Sequence, residues 1–233
     1  MKYIHHHLGL GDHMVCNGLV RKFSEKFGEI TLFCKDHNYA TVKDMYRDNP
    51  NIHVLSIGNH QDADSNVEKF ILERGEQQNL IKVGFHDIWV NYGNFGFDIK
   101  FYLQHGLDPS IRWESFYFER NPEREKEIFN HYNVEEGKYI FIHDDERYSV
   151  LTHKINNPEN FPFVRPEIGL TPSILDYALL IEKAHQVHTI ESSFQLWIDC
   201  SAINKENYIH KYARPMSSPI EIITYRNVKG FIE

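Results

Sequence analysis

The sequence predicts an α/β protein of two small Rossmann-like domains with mainly parallel sheets, and three observations carry that prediction. Strand and helix patterns alternate as β-α-β-α-β from Lys2 to Ile57. A second apolar strand, Tyr139 to His143, restarts the pattern after the charged helix Asn121 to Tyr132. Twice, at 2–18 and at 187–201, a strand passes through a short polar or glycine turn straight into a helix. In open α/β sheets such turns lie at the carboxyl ends of strands, where ligands bind. The expected division is 1–118 and 119–233.

The elements follow from periodicity and breakers. Lys2 to His7 reads as a strand, and Met14, Val15, Leu19, Val20 and Phe23 make one helical face, with Gly28 as the stop. Glu29 to Lys35 is the second strand, Thr41 to Asp48 a short helix, and Ile52 to Ile57 the third strand, set off by Asn49-Pro50-Asn51. Asp62 to Glu76 reads as a helix and Ile81 to Phe85 as a strand. From 86 to 103 Trp89, Tyr92, Phe95, Phe97, Phe101 and Tyr102 alternate with Gly93 and Gly96, which suits a helix, or a loop followed by one. That aromatic stretch fits core packing, and it also fits a wall for a sugar.

Leu107-Asp108-Pro109 is a turn and Trp113 to Phe118 an extended segment. Asn121-Pro122-Glu123 caps the next helix. Ile155 to Pro172 is loop with a short strand at Val164. Ser173 to Ala184 is a helix, Val187 to Ile190 a strand, and Phe194 to Ser201 a helix. Tyr208 to Tyr212 and Ile220 to Tyr225 close the second domain as strands.

Composition excludes several function classes. A formal net charge of −8 argues against a general nucleic-acid binder, which needs a basic stripe. Three dispersed cysteines without CxxC spacing suggest neither a disulfide framework nor a structural zinc site, and fit a reducing, cytoplasmic setting. No basic leader followed by an apolar segment and no run of ~18 apolar residues is present, so no transmembrane segment is expected.

Two turns carry the chemistry. In the first, Leu8-Gly9-Leu10-Gly11-Asp12-His13, backbone N–H groups and a carboxylate converge at a helix start. Met14 stands where a dinucleotide fingerprint needs its third glycine and no Walker lysine follows, so neither an NAD site nor a P-loop is expected. The turn also suits a plain βα connection in which Asp12 only caps the helix. In the second turn, Glu191-Ser192-Ser193-Phe194 offers a carboxylate, two hydroxyls and a helix N-terminus, a set suited to a pyrophosphate or, more simply, to an N-cap. A third polar group, His143-Asp144-Asp145-Glu146-Arg147, ends another strand.

These residues carry a resemblance. Leu8-Gly9-Leu10-Gly11-Asp12 entering a helix, the Ser173-Ile174-Leu175-Asp176-Tyr177 helix, the Val187-His188-Thr189-Ile190 strand and Glu191-Ser192-Ser193-Phe194 together resemble GT-B type glycosyltransferases. The likeness is to the ADP-heptose:lipopolysaccharide heptosyltransferases and related polysaccharide-synthesis transferases. The resemblance implies two Rossmann-like domains facing across a cleft, the acceptor on the N-terminal one and a nucleotide-sugar donor on the C-terminal one. It implies Asp12 as general base and Ser192 and Ser193 at the donor phosphates; by position, Gly9, Gly11 and His13 fall on the acceptor side and His143, Phe194, Arg147 (or else a surface residue) and Glu191 (or else a cap) at the donor.

It further implies inverting transfer to a glycan or polysaccharide acceptor without a cofactor or metal. A lipid-linked acceptor would bring peripheral membrane contact. This chain is roughly a third shorter than the family's usual size, and its donor turn is Glu-Ser-Ser where the family has an Asp-Thr-Gly-like one, so the donor need not be ADP-heptose.

Two other readings remain open at this point. His5, His6, His7 and His13 near Asp12, with His143-Asp144-Asp145, are of the residue types a metal-dependent hydrolase uses. In a strand, however, His5 and His7 point opposite to His6. A non-catalytic nucleotide-sugar-binding module would keep the same fold.

Overall fold

In the computed structural model, which describes residues 1–59, 62–85, 95–214 and 223–233, the apolar strand runs assemble into two separate parallel sheets. The chain divides into two compact units, one of Met1–Glu119 with Ser218–Thr224 and the other of Arg120–Ser217 with Tyr225–Glu233.

The first unit holds β1 (Lys2–His5), β2 (Ile30–Cys34), β3 (Ile52–Ser56) and β4 (Leu80–Lys82), in the order β3-β2-β1-β4. All three pairings are parallel, with Tyr3 opposite both Thr31 and Leu80. Every residue of β2 is buried, as expected of an inner strand covered on both faces. Its helices are α1 (Leu10–Phe27), α2 (Tyr39–Met45), α3 (Ala63–Arg74), α4 (Phe97–Leu103) and α5 (Ile111–Glu114).

Met14, Val15, Leu19 and Val20 of α1 are fully buried. Tyr3, Leu8 and Phe33 pack with Ala63, Val67 and Ile71 of α3. Each such side chain contributes about 1.5–3 kcal/mol through burial. Gly28 ends α1 at φ +74°, its N–H donating to the Ser24 carbonyl. The α1–α5 contact requires Gly18, where a Cβ would meet the Ile111 carbonyl oxygen at 2.4 Å.

The sequence reading of 113–118 as extended is corrected here. Asp108 Oδ1 accepts the Ser110 N–H at 2.8 Å and starts α5, which runs to Glu114 against α1. The extended reading thus fails at Trp113 and Glu114, which are helical, while residues 116–118 are in neither helix nor strand. Of the aromatic stretch, 97–103 is helical, whereas Trp89, Tyr92 and Gly93 lie outside the described residues.

Asp98 and Arg112 form an ion pair buried to zero exposure. Both also bind the main chain at Thr224: the Thr224 N–H donates to Asp98 at 3.0 Å, and Arg112 donates to the Thr224 carbonyl at 2.8 Å.

The second unit holds α6 (Pro122–Tyr132), β5 (Ile140–His143), β6 (Phe163–Val164), α7 (Ala178–Glu182), β7 (Gln186–Thr189), α8 (Ser193–Ser201), β8 (Asn207–His210) and β9 (Gly230–Ile232). Its sheet is again fully parallel, in the order β6-β5-β7-β8-β9. Asn121 caps α6 by accepting the Arg124 N–H, with Pro122 in the first turn.

Two expectations are corrected in this unit. The helix expected over 173–184 is a 3₁₀ turn, Ile174–Tyr177, capped by Ser173, followed by the short α7. The last strand is β9 and not 220–225. Residues 220–222 of that segment lie outside the described residues, and 223–225 are not in a strand. Asp199, fully buried, accepts the N–H groups of Arg226 and Asn227 at 2.8 and 2.7 Å and so sets up the approach to β9.

Candidate functional site

Each sheet has a point where neighbouring strands are connected in opposite directions, between β1 and β4 in the first and between β5 and β7 in the second. Ligands of open α/β sheets bind outside the carboxyl ends of strands at such points. The two informative turns of the sequence follow β1 and β7.

In the first unit, Gly9 is the N-cap of α1 at φ −71° and ψ 147°, a conformation open to any residue. A Cβ there would stand 2.6 Å from Asp12 Oδ2, so the carboxylate occupies the space that the glycine leaves and a larger residue would displace it. Asp12 lies in the first helical turn, where the backbone N–H groups of Gly9 and of Asp12 itself favour its charged form. Gly11 is inside that turn, so the tight bend expected of the two glycines is made without a left-handed residue at either.

Asp12 is half-buried. Desolvation pushes its carboxyl up to about 6, against the opposing pull of His7, those N–H groups and Lys35. It is therefore ionised at neutral pH yet much more basic than a free aspartate. Asn38 steadies the turn by donating to the Leu8 carbonyl at 3.2 Å.

The histidines around this turn diverge. His5 pairs with Asp64 at 2.8 Å, His6 bonds the His7 carbonyl, and His7 Nε2 meets the Gly84 carbonyl at 3.1 Å. His13, expected on the acceptor side, is fully buried with its ring 4.3 Å from that of His6, and burial lowers it well below the usual imidazole range. It is a core residue. Among the described residues no three of His, Cys, Asp and Glu gather as a metal ligand set. An open groove of about 560 Å³ between α3 and β4 is lined by Glu68, Ile71, Leu72, Gln77, Leu80 and Lys82, and by none of the residues around Asp12.

In the second unit, Ser192 is the N-cap of α8, accepting the Gln195 N–H. Its hydroxyl is also hydrogen-bonded to His143 Nδ1 at 3.1 Å, tying the ends of β5 and β7 together. Burial holds His143 neutral, down to about 4, and its ring stacks on Phe194 at 4.1 Å. The structure thus brings His143, Ser192 and Phe194 to one point. Ser193 begins α8, and its half-buried hydroxyl has no hydrogen-bond partner among the described residues.

Glu191 is buried and engaged: Lys211 forms an ion pair with it and the Tyr225 hydroxyl donates to it at 3.1 Å. Arg147 stands on an exposed turn with its side chain 80% accessible and lies 3.9 Å from Asp145, so its place is the surface.

Sequence reasoning missed Lys211, Arg214 and Tyr225 around Glu191. Lys211 and Arg214 follow β8 on an unremarkable polar segment, and Tyr225 was assigned to a strand. The only signal available was position, since residues just past a parallel strand's carboxyl end gather with those of its neighbours. Also missed was a buried relay in which His188 and His210 bond each other at 2.9 Å and His210 bonds the Tyr212 hydroxyl at 2.9 Å. Burial lowers His188 to about 3 and His210 to about 4.

Among the described residues no helix is long and apolar enough to cross a membrane. No family model matches the chain, and neither does any curated protein. Among solved structures it is similar to the glycosyl transferase family 9 from Veillonella parvula DSM 2008, with 8% identity, a TM-score of 0.56, and coverage of 89% of this chain and 79% of that one. At that identity the likeness is one of fold, and the fold of this chain is α/β and GT-B-like, with two parallel sheets.

Proposed function

We propose that this chain is an inverting glycosyltransferase that moves a sugar from a nucleoside diphosphate onto a hydroxyl of a glycan or polysaccharide, with no metal in the transfer step. The observation that carries the reading is Asp12, a half-buried carboxylate at the carboxyl end of β1, wedged against Gly9 and raised to about 6. A base that is ionised at neutral pH yet close to it in pKa is suited to accept a hydroxyl proton. The fold likeness to a glycosyl transferase of family 9 supports the same reading.

In the proposed reaction the acceptor oxygen attacks the anomeric carbon and its proton passes to Asp12. The bond from that carbon to the diphosphate breaks, the electron pair leaves with the phosphate, and the configuration inverts. The leaving diphosphate is stabilised by hydrogen-bond donors and positive charge already in place. Ser193 and the N-terminus of α8 offer such donors in the second unit. His143 and Phe194 supply a flat, uncharged wall.

Nucleoside diphosphates and their sugars, screened by thermal shift with and without divalent metal, test the donor. One of them at ~100 times its Kd should stabilise the chain by ~2.7 kcal/mol irrespective of metal. Replacing Asp12 by Asn should reduce transfer by about 10²–10⁴-fold while leaving that shift unchanged. Transfer undiminished in Asp12→Asn would remove Asp12 as the base.

A further inference from the structure

The second sheet holds a run of hydrogen bonds whose sense is fixed at both ends. At one end the Leu151 main-chain N–H donates to the Tyr212 oxygen at 2.7 Å, which leaves the hydroxyl proton of Tyr212 to be donated onward. At the other end His188 Nε2 lies 3.2 Å from Gln186 Oε1, a carbonyl oxygen that only accepts. His188 therefore carries its proton on Nε2 and leaves Nδ1 bare. That nitrogen accepts from His210 Nε2 at 2.9 Å, and His210 Nδ1 in turn accepts the Tyr212 hydroxyl at 2.9 Å. From Leu151 to Gln186 every donor meets an acceptor while both rings are neutral.

The surroundings hold the pair in that state. Both rings are buried, which lowers both below the usual imidazole range. In the sheet His188 stands opposite Ile142 of β5 and Tyr208 of β8. Its ring stacks on that of Tyr208, whose hydroxyl donates to Glu206, itself paired with Lys229. His210 stands opposite Ile232 of β9; the Lys154 ammonium adds to its lowering and the Asp144 carboxylate, paired with Arg165, opposes it. Among the described residues no carboxylate is bonded to either ring.

An added proton does not fit this arrangement. On His210 it occupies Nδ1. On His188 it also occupies Nδ1, and His210 must then bare Nε2 and carry its own proton on Nδ1. Either way an N–H faces the Tyr212 oxygen, the Tyr212 hydroxyl loses its acceptor, and the oxygen that anchors Leu151 meets a second donor. Lys154, 4.3 Å above the Tyr212 ring, repels the new charge as well. The anchored loop follows β5. Its Val150 is bonded to Asp144 and packed with Ile140 and Ile142, whereas Leu151 is exposed and held at its N–H by Tyr212.

We propose that the Tyr212–His210–His188 relay is an acid-released latch: with both rings neutral it pins the loop over 144–151 at Leu151, and one proton on the pair frees it. The latch stands apart from the transfer reading and holds or falls without it.

Amide hydrogen exchange of the full chain from about pH 7 to about pH 4.5, each rate divided by the intrinsic rate at that pH, tests the latch. Leu151 should open more often than Ile140, an inner-strand amide bonded to the Pro162 carbonyl. Its opening should rise about tenfold or more per pH unit below about pH 6, as the open form takes up a proton that the closed form refuses. His210→Asn keeps an oxygen where Nδ1 accepts from Tyr212 but takes up no proton, so Leu151 should stay protected in acid. Tyr212→Phe removes the anchor, and Leu151 should lose about tenfold or more of its protection already at neutral pH, with no further dependence on pH.

One readout needs no variant: imidazole nitrogen chemical shifts at neutral pH should show His188 and His210 protonated at Nε2 alone. An Nδ1–H tautomer in either ring overturns the latch. So does an opening of Leu151 that is flat in pH, or equal to that of Ile140 throughout. A folded His210→Asn chain whose Leu151 opens with acid as in the wild type overturns it too.

Discussion

A methyl group at Gly9 would stand 2.6 Å from Asp12 Oδ2, far inside van der Waals contact, while the backbone at Gly9 is one that alanine adopts freely. Gly9→Ala therefore separates two effects that glycine substitutions usually mix. The turn should form and the fold persist, but the carboxylate must swing away. Transfer should drop at least tenfold at an unchanged melting midpoint, and activity equal to wild type would show that the position of Asp12 does not matter. The ionisation of Asp12 has a sign that can be checked as well. The base works only when charged, so kcat/KM should fall as pH drops through about 6 and level off above it. At this scale the sequence was legible in position, with Asp12 in the first turn of α1 and Ser192 as the cap of α8. It was not legible at His13, whose burial beside His6 depends on how α1 lies on the sheet, nor at Arg214, whose partner is a carbonyl 23 residues away.

Elements were legible where periodicity was long. Helix α1, with its apolar face and glycine stop, appears as read. The short elements were not, and each miss has a local cause. Helix α5 is four residues long and depends on Gly18 across the contact with α1. Strand β9 is three residues long, and its pairing with β8 is what defines it. The β4–α4 connection shows the same dependence on contact. Gly84 sits at φ +85°, a Cβ there would meet Phe101 at 2.4 Å, and Gln104 brackets it by accepting the Gly84 N–H and donating to the Phe85 carbonyl. Gly84→Ala should cost about 1–3 kcal/mol from backbone strain and overpacking together, read as a lower urea midpoint. An unchanged midpoint would mean that Phe101 and the backbone shift without penalty.

At the scale of the whole molecule, buried neutral histidines make stability depend on acid. His6, His143 and His210 are held at about 4 and His188 at about 3, whereas an unfolded chain titrates them near ~6.5. The unfolded state therefore binds protons first as pH falls. Stability from these groups is fully present above about 6.5 and is lost on the way down toward 4, by up to ~1.4 kcal/mol per pH unit for each histidine. Asp12 and Asp98 work in the opposite sense, because burial raises them and so favours the folded state at low pH, but His5, His13 and His105 are lowered too and the histidines outnumber the two acids. The urea midpoint should decline between pH 7 and pH 5, and a flat profile would show that these histidines titrate freely in the folded protein. The two-unit α/β pattern was readable from the recurrence of strand and helix, while the return of the chain to the first unit at Thr224 was not, because no local pattern announces which sheet a late segment will join. That return governs how the protein can be made. The buried Arg112–Asp98 pair is synthesised first, yet both groups take part of their hydrogen bonding from Thr224, which comes only after residues 120–217 of the second unit. Domains of a nascent chain generally fold in order from the N-terminus. Here the first unit to emerge cannot complete these bonds until residues 120–217 of the second have been made.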